Sequence, residues 1–165
     1  MKKFLAAAAL LAISGVASAQ GYVGAVIGMS KYDVDCTPLT CDKSDNAFKV
    51  YGGVHVNKEW AVEVAYSDFG AVNTTFDREL VHASVLSVVG AYRVPFTPSF
   101  NGVARLGLGF VNADSNFTTS QNSVNLYAGL GLEYAITKSV KVVGMADLAD
   151  SGDVFLFGAG LQADF

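Results

Sequence analysis

Apolar and polar residues alternate with a period of two along most of this chain. The last twelve residues show the pattern plainly, with Phe155, Phe157, Ala159, Leu161, Ala163 and Phe165 on one side and Gly158, Gly160, Gln162 and Asp164 on the other. Because successive side chains of a β-strand point to opposite faces, this period predicts a strand. The chain is therefore expected to close on a strand whose last residue is aromatic.

Turn signals divide the rest of the chain into similar alternating runs. Eight strands are predicted, at about 21–32, 47–56, 60–69, 80–93, 100–112, 123–135, 140–149 and 154–165. The connections at 57–59, 95–99, 137–138 and 150–153 are short, whereas those at 33–46, 70–79 and 113–122 are longer. The pattern predicts an all-β fold, an eight-stranded antiparallel up-and-down transmembrane β-barrel.

The fifth and sixth predicted strands decide which face meets the membrane. Leu106 and Leu108 share one face of the fifth strand, and Arg105 lies on the other. A soluble barrel that left this continuous apolar belt in water would expose far more apolar area than soluble monomers tolerate. Arg105 facing lipid at mid-depth would cost about 2–4 kcal/mol. Arg105 and, by the same reasoning, Glu133 are expected to point into the lumen.

Alternation extends this assignment to the other strands. The predicted lumen positions are Lys49, Tyr51, His55, Glu63, Arg105, Glu133, Lys141 and Asp147. The predicted lipid positions are Phe48, Val50, Trp60, Val62, Val64, Tyr66, Tyr92, Val142 and Leu148. Aromatic residues fall beside the short turns and beside the long loops, which predicts two aromatic girdles.

Composition and the first residues narrow the class further. Residues 1–19 carry a basic start, a short apolar run and an Ala-x-Ala motif that ends at Ala19, which predicts a cleaved signal peptide. Residues 20–165 then form one barrel domain. The chain is 52% apolar and 16% charged, and its net charge of −4 argues against a nucleic-acid partner.

Four stretches carry a family resemblance, at residues 51–57, 60–70, 105–109 and 129–137. Together they resemble the OmpA-type small outer-membrane β-barrels. The resemblance implies a cell outer-membrane location, contacts with membrane lipid and lipopolysaccharide, and loops that contact a host or surface ligand. It also implies that the barrel-assembly machinery reads the last strand, with Phe165, Ala163 and Leu161 as the assembly signal.

The same resemblance implies paired lumen charges, and Glu63, Arg105 and Glu133 fall where they are expected. The chain departs from the family pattern at Val89 and Val143, where basic partners would stand. Hairpins centred on Thr119 and Thr137 would place Glu133 opposite both Arg105 and Lys141. Lys49 and Asp147 complete the predicted lumen charge cluster, which would act as a structural plug or as a gate across a pore.

Cys36 and Cys41 bracket four residues of the first long loop. A metal site would need further Cys or His residues nearby, and export through an oxidising periplasm favours a small loop-closing disulfide. No metal and no cofactor are expected.

The expected function is structural or surface-interactive, with no enzymatic activity. Two alternatives stay open. One is a narrow porin-like channel. The other is a lipid A hydrolase, because Glu79, His82 and Ser84 are similar to the His-x-Ser site of small outer-membrane deacylases.

Overall fold

The computed structural model describes residues 20–32, 41–42, 44–74, 79–115, 118–149 and 154–165. These residues form nine strands and no helix. The strands are β1 (Gly21–Tyr32), β2 (Cys41–Asp42), β3 (Ser44–His55), β4 (Trp60–Thr74), β5 (Glu79–Thr97), β6 (Phe100–Ser115), β7 (Thr118–Ala135), β8 (Val140–Ala149) and β9 (Val154–Asp164). In the described part of the chain, no helix is long and apolar enough to cross a membrane.

Eight of these strands close into an antiparallel barrel in which neighbours in sequence are neighbours in space. The first and last strands complete the cylinder, with register partners running from Tyr22 and Asp164 to Tyr32 and Val154. The two-residue strand β2 precedes β3 and pairs with the end of β4. The predicted eight-stranded up-and-down barrel is confirmed. Closure leaves no strand edge in the membrane, where an unpaired backbone group would be costly.

Five strands extend further than their apolar pattern predicts. β3 begins at Ser44, and β5 continues past its predicted end to Thr97. β4 continues to Thr74, β6 continues to Ser115, β5 begins at Glu79 and β7 begins at Thr118. The predicted long connections at 70–79 and 113–122 are therefore wrong in extent. The added residues are largely Thr, Ser, Asn, Gln and Asp, and polar residues on both faces erase the apolar alternation from which strands are predicted.

The two ends of the barrel differ in their connections. Short turns at 56–59, 98–99 and 136–139 lie at one end, here called the turn end. The other end carries the extended strands and is called the loop end. Asn57 and Thr137 form equivalent turns, because each side-chain oxygen accepts backbone N–H bonds from the residues two and three positions later.

Side chains alternate between the two surfaces of the barrel wall. The predicted lipid positions lie on the outer face, and Leu106, Leu130 and Leu132 there are 51–68% exposed. Lys49, Glu63 and Asp147 on the inner face are fully buried. This is the orientation that a membrane barrel requires, since lipid solvates the outer leucines and the protein itself must solvate the inner charges.

Aromatic side chains cluster on the outer face at both ends of the apolar belt. Trp60 and Tyr92 are register partners with ring centroids 4.8 Å apart at the turn end. Phe48 and Tyr66 are similarly placed toward the loop end, 6.1 Å apart. Amphipathic rings at these depths suit the two membrane–water interfaces.

Candidate functional site

The lumen concentrates the chain's buried polar groups. Six of its charged members lie on six different strands and are almost completely buried: Lys49, Glu63, Arg93, Arg105, Glu133 and Asp147. Each occupies an inward position of its strand, so alternation alone brings it into the lumen. Because an isolated buried charge is very unfavourable, the pairing of these six groups determines what the lumen can do.

The pair nearest the loop end joins Lys49 to Asp147. The Nζ of Lys49 lies 2.8 Å from a carboxylate oxygen of Asp147, and both side chains are fully buried. The same Nζ donates to the hydroxyl of Tyr127 at 3.2 Å. The Lys49 ammonium also lies 5.2 Å from the centre of the Tyr127 ring, so that one aromatic residue supplies both an acceptor and a π-face.

The middle pair joins Arg105 to Glu63. The Nε of Arg105 donates to both carboxylate oxygens of Glu63, at 2.9 and 3.1 Å. The hydroxyl of Tyr22 donates to the same carboxylate at 3.0 Å. The Glu63 carboxylate thus accepts hydrogen bonds from two residues. These bonds replace the water that the carboxylate loses on burial.

A branched cluster fills the lumen toward the turn end. The Nε of Arg93 contacts Glu133 at 3.2 Å. Lys141 lies 3.6 Å from the same carboxylate and 2.6 Å from Asp164. Gln162 extends the cluster, because its amide donates to Asp164 and its carbonyl oxygen accepts from Tyr51. Lys141 is 14% exposed, so the cluster opens toward solvent at this end.

The predicted partners of Glu133 need correction. Glu133 is paired in register with Asn101 on β6 and Val143 on β8, and Arg105 is paired with Gly129. The predicted registers are wrong because the register of β6 and β7 centres on position 117 and that of β7 and β8 centres on position 138. Glu133 and Lys141 still meet, since a diagonal neighbour on the same face remains within reach of a long side chain.

Arg93 is the functional residue that the sequence interpretation missed. It supplies the guanidinium that Glu133 was expected to find in Arg105. Arg93 directly follows the outward-facing Tyr92, so alternation places it on the lumen face. It was, however, the last residue of the predicted strand. Val89 lies four residues earlier on the same face and is buried. The family pattern would have a basic residue at position 89, whereas this chain has it at Arg93.

Tyrosine rings occupy space that glycines leave open. The ring of Tyr51 covers Gly24, and the ring of Tyr22 covers Gly53, so a Cβ at either glycine would overlap the aromatic side chain. The two rings meet edge to face with centroids 6.3 Å apart. These large side chains fill the centre of the barrel between the charged pairs.

An apolar cluster of buried side chains lies in the lumen around Lys49 and beyond it, toward the loop end. We call it the apolar ring; its buried members, drawn from seven strands, are Ala47, Phe69, Val85, Val89, Val111, Tyr127, Ala149 and Leu156. The remaining strand, β1, contributes Ser30, whose hydroxyl donates to the carbonyl of Phe69. Beyond Phe69, Gly70 adopts a positive φ of 72° at a break in the β4–β5 register.

A polar cavity opens at the turn end. Its volume is about 470 Å³, and we call it the vestibule. It is lined by Gln20, His55, Asn57, Lys58, Arg93, Asn101, Lys141 and Asp164. Every lining residue is polar, in contrast to the apolar ring at the other end of the same lumen.

The other predicted site residues either face outward from the barrel or lie outside the described part of the chain. Phe165 pairs with Gly21 through two backbone hydrogen bonds of 2.9 and 3.0 Å, and its side chain is 68% exposed. Leu161 and Ala163 also face outward. Cys36 lies outside the described residues, as does the side chain of Cys41. Their disulfide stays a prediction.

The hydrolase triad is only partly visible. Ser84 is half-buried next to the inward-facing Val85, while the side chains of Glu79 and His82 lie outside the described residues. Among the residues that the structure describes, no group of three or more His, Cys, Asp and Glu side chains could hold a metal ion.

Comparison with known families gives one match, to the OmpA-like transmembrane domain, over residues 16–144. A comparison with curated protein sequences finds no match.

Solved structures with the same fold are outer-membrane barrels of low sequence identity. The N-terminal β-barrel domain of Pseudomonas aeruginosa OprF is 16% identical, with a TM-score of 0.63 over 90% of this chain and 100% of that one. Neisserial surface protein A is 16% identical, with a TM-score of 0.61 over 88% and 97%. Ail, the attachment invasion locus protein of Yersinia pestis, is 17% identical, with a TM-score of 0.57 over 89% and 97%.

The branched cluster generates a stability prediction. Replacing Glu133 by Gln leaves Arg93 and Lys141 facing each other without their shared carboxylate. We expect a lower urea midpoint, with a loss of up to about 3–5 kcal/mol, the range measured when one member of a buried pair is removed. Glu59→Gln, at an exposed turn, is the matched control and should leave the midpoint unchanged. An unchanged midpoint in both variants would contradict the assigned role of Glu133.

Proposed function

The chain belongs to the OmpA-like transmembrane domain family, and we infer that it serves the outer membrane as a closed barrel whose loop end makes surface contacts. Two features support this inference. The β6–β7 hairpin extends beyond the apolar belt, and an apolar ring fills the lumen. The hairpin supports the surface role, and the apolar ring supports low permeability of the lumen.

The polar extension of β6 and β7 is the observation that carries the surface role. The last outward-facing apolar residue of β7 toward the loop end is Val124, yet the strand begins at Thr118. The intervening residues 118–123 are all Thr, Ser, Gln or Asn. These residues remain paired with β6. Ser123 is the register partner of Val111, and Thr118 is the register partner of Ser115. A polar two-stranded wall of this kind suits water rather than lipid.

Strand lengths show how far the wall rises above the membrane. A tilted strand needs about 9–11 residues to cross the bilayer. β8 and β9 have 10 and 11 residues, whereas β7 has 18 and β5 has 19. The rim is therefore high on the β5–β7 side and low on the β8–β9 side. We propose the high side as the surface that contacts lipopolysaccharide or a host surface.

One protein of similar fold has been solved in complex with a ligand. Ail of Yersinia pestis has been solved with the heparin analogue sucrose octasulfate. For the present chain we propose a surface ligand of the host or of the lipopolysaccharide layer, without assigning it to sulfated sugars. The net charge of −4 favours contacts that include divalent cations when the partner is anionic.

The apolar ring supports a lumen that does not conduct. Phe69, Tyr127 and Leu156 are fully buried, and an eight-stranded barrel is only wide enough for side chains to fill. Ions would have to cross this layer without a polar partner, which is unfavourable. We therefore rank the plugged barrel above the narrow channel, and we place the barrier in the apolar ring in addition to the charged pairs.

Export and assembly follow the same proposal. Residues 1–19 would be removed as a signal peptide, and the assembly machinery would read the last strand through Phe165, Leu161 and Ala163. In the folded barrel these three side chains face outward. We propose no enzymatic activity for this chain.

Shortening the high side of the rim tests the surface role. Residues 112–122 would be replaced by Asn-Gly, which joins the register partners Val111 and Ser123 by a tight turn. Cells producing this variant should lose adhesion to host-cell layers or retention of lipopolysaccharide, while the protein still migrates faster before boiling on a detergent gel.

The control variant, Phe117→Gly, places the same Asn-Gly pair at 116–117 and so keeps the paired extension. It should behave as the parent does. If the shortened variant adheres and retains lipopolysaccharide as well as both other proteins, the hairpin is not the contact surface.

The apolar ring gives a permeability prediction. Phe69→Ala removes the largest apolar side chain of the ring, whereas Phe48→Ala removes the same atoms from the outer face of the neighbouring strand. We expect the parent and Phe48→Ala to show no steady conductance in planar bilayers, and Phe69→Ala to show discrete openings. Steady conductance of the parent would favour the channel alternative, and silence in all three proteins would show that the ring alone is not the barrier.

A further inference from the structure

The guanidinium of Arg93, at the vestibule, has two buried NH₂ groups without a hydrogen-bond partner among the described residues. Arg93 is 4% exposed, and its Nε is occupied by Glu133. Neither Nη1 nor Nη2 has a hydrogen-bond partner among the described residues. The ring of Tyr22 lies 4.6 Å from the guanidinium carbon and covers one face of the group. An unsatisfied buried donor is unfavourable, more so when it is charged, and this favours a ligand that can accept hydrogen bonds from it.

Other donors converge on the same cavity. The side-chain oxygen of Asn57 accepts from the backbone N–H groups of Glu59 and Trp60, at 2.9 and 2.8 Å. These bonds fix the orientation of the amide and leave its NH₂ group as the donor available to the vestibule, which Asn57 lines. Asn101 and Lys58 line the same space.

The charge of the vestibule is positive. Its lining holds the cations Lys58, Arg93 and Lys141 and the single carboxylate of Asp164, a formal charge of +3 − 1 = +2 with His55 neutral. Asp164 is already bonded to Lys141 and to Gln162. Glu133, which lies behind Arg93, reduces the local sum to +1 and leaves it positive.

We propose that the vestibule is a binding site for a phosphate-bearing anion, held by Arg93, Lys58 and Lys141 with the amides of Asn57 and Asn101. A guanidinium presents paired N–H groups that match the oxygens of such an anion. Arg93 lines the cavity, and a change of its side-chain torsions would turn Nη1 and Nη2 toward a bound anion. The site opens at the turn end, which faces the periplasm, and it is independent of the surface contacts at the loop end.

The chemistry fits two sources of phosphate. A soluble phosphate compound reaches the vestibule from the periplasm. The headgroup of a phospholipid reaches it from the inner leaflet, because the Trp60 and Tyr92 girdle places the turn end at that membrane surface. Both sources present the same oxygens to the same donors, so the test includes one arm for each.

The test is an NMR titration of the refolded barrel in maltoside micelles, which contain no phosphate, at low ionic strength. The first arm adds inorganic phosphate, and the second adds phosphatidic acid to the micelles. We expect saturable shifts of the Arg93 Nε–H signal and of the Asn57 and Asn101 side-chain amides in at least one arm. The arm that responds identifies the source. Absence of saturable shifts in both arms overturns the proposal.

Two turn lysines provide a matched comparison. Lys58 lines the vestibule, whereas Lys138 occupies the corresponding place in the equivalent turn at 136–139 and does not line it. Lys58→Gln should weaken phosphate binding by roughly two- to fivefold, the effect of one partly solvated charge. Lys138→Gln should bind as the parent does. Equal weakening by the two variants would show general attraction to surface charge and would overturn the site.

Arg93→Lys tests the guanidinium itself. The variant keeps the charge next to Glu133 and removes the paired N–H groups, so we expect the largest loss of phosphate affinity, about tenfold or more. Faster migration before boiling on a detergent gel establishes that the barrel is intact. A folded Arg93→Lys barrel with the affinity of the parent would contradict the role given to Nη1 and Nη2.

Discussion

The width of an eight-stranded cylinder is the constraint on which the rest of this structure depends. Such a barrel has room for side chains but not for a wide aqueous channel. Every inward position must therefore be filled, and every inward polar group must find its partner among the others. Here tyrosines and valines take up most of the volume, and each buried charge meets an opposite charge. The outer face has no such requirement, because lipid solvates its leucines and valines.

The three buried ion pairs also brace the cylinder. Lys49–Asp147 joins β3 to β8, Glu63–Arg105 joins β4 to β6, and Arg93–Glu133 joins β5 to β7. None of these strand pairs is hydrogen-bonded in the barrel wall. The pairs therefore connect parts of the wall that the backbone ladder leaves independent. Buried pairs of this kind are weak evidence for added stability, but the loss of one member is costly.

Alternation predicts a great deal of this arrangement. It identified the strands, the lipid-facing belt and the inward direction of Arg105, Glu133 and Lys141, because a period of two fixes the face of every residue once one face is known. It could not identify the partners of Arg105. A partner depends on register, and register depends on where each hairpin turns. A turn two residues from its assumed position moves each partner by four.

The residues at which the strands begin and end were predicted wrongly for a different reason. The polar residues at 118–123 pair with β6 without any apolar face, so the sequence contains no periodic signal there. Arg93 was missed at the opposite end of β5, since the predicted strand stopped at the residue that the lumen uses. Both omissions lie at strand ends, where turn geometry and pairing with the neighbouring strand decide the structure.

The central claim is that lipid covers one face of the barrel wall and that the lumen behind the other face is dry at the apolar ring. Nuclear Overhauser contacts of valine and leucine methyl groups, measured in micelles, test both parts together. Leu106, Leu130 and Leu132 should show contacts to acyl-chain protons, and Val85, Val111 and Leu156 should show contacts to neither acyl chains nor water. Water contacts at Val85, Val111 and Leu156 would mean that the lumen is open, and acyl-chain contacts there would contradict the assigned faces.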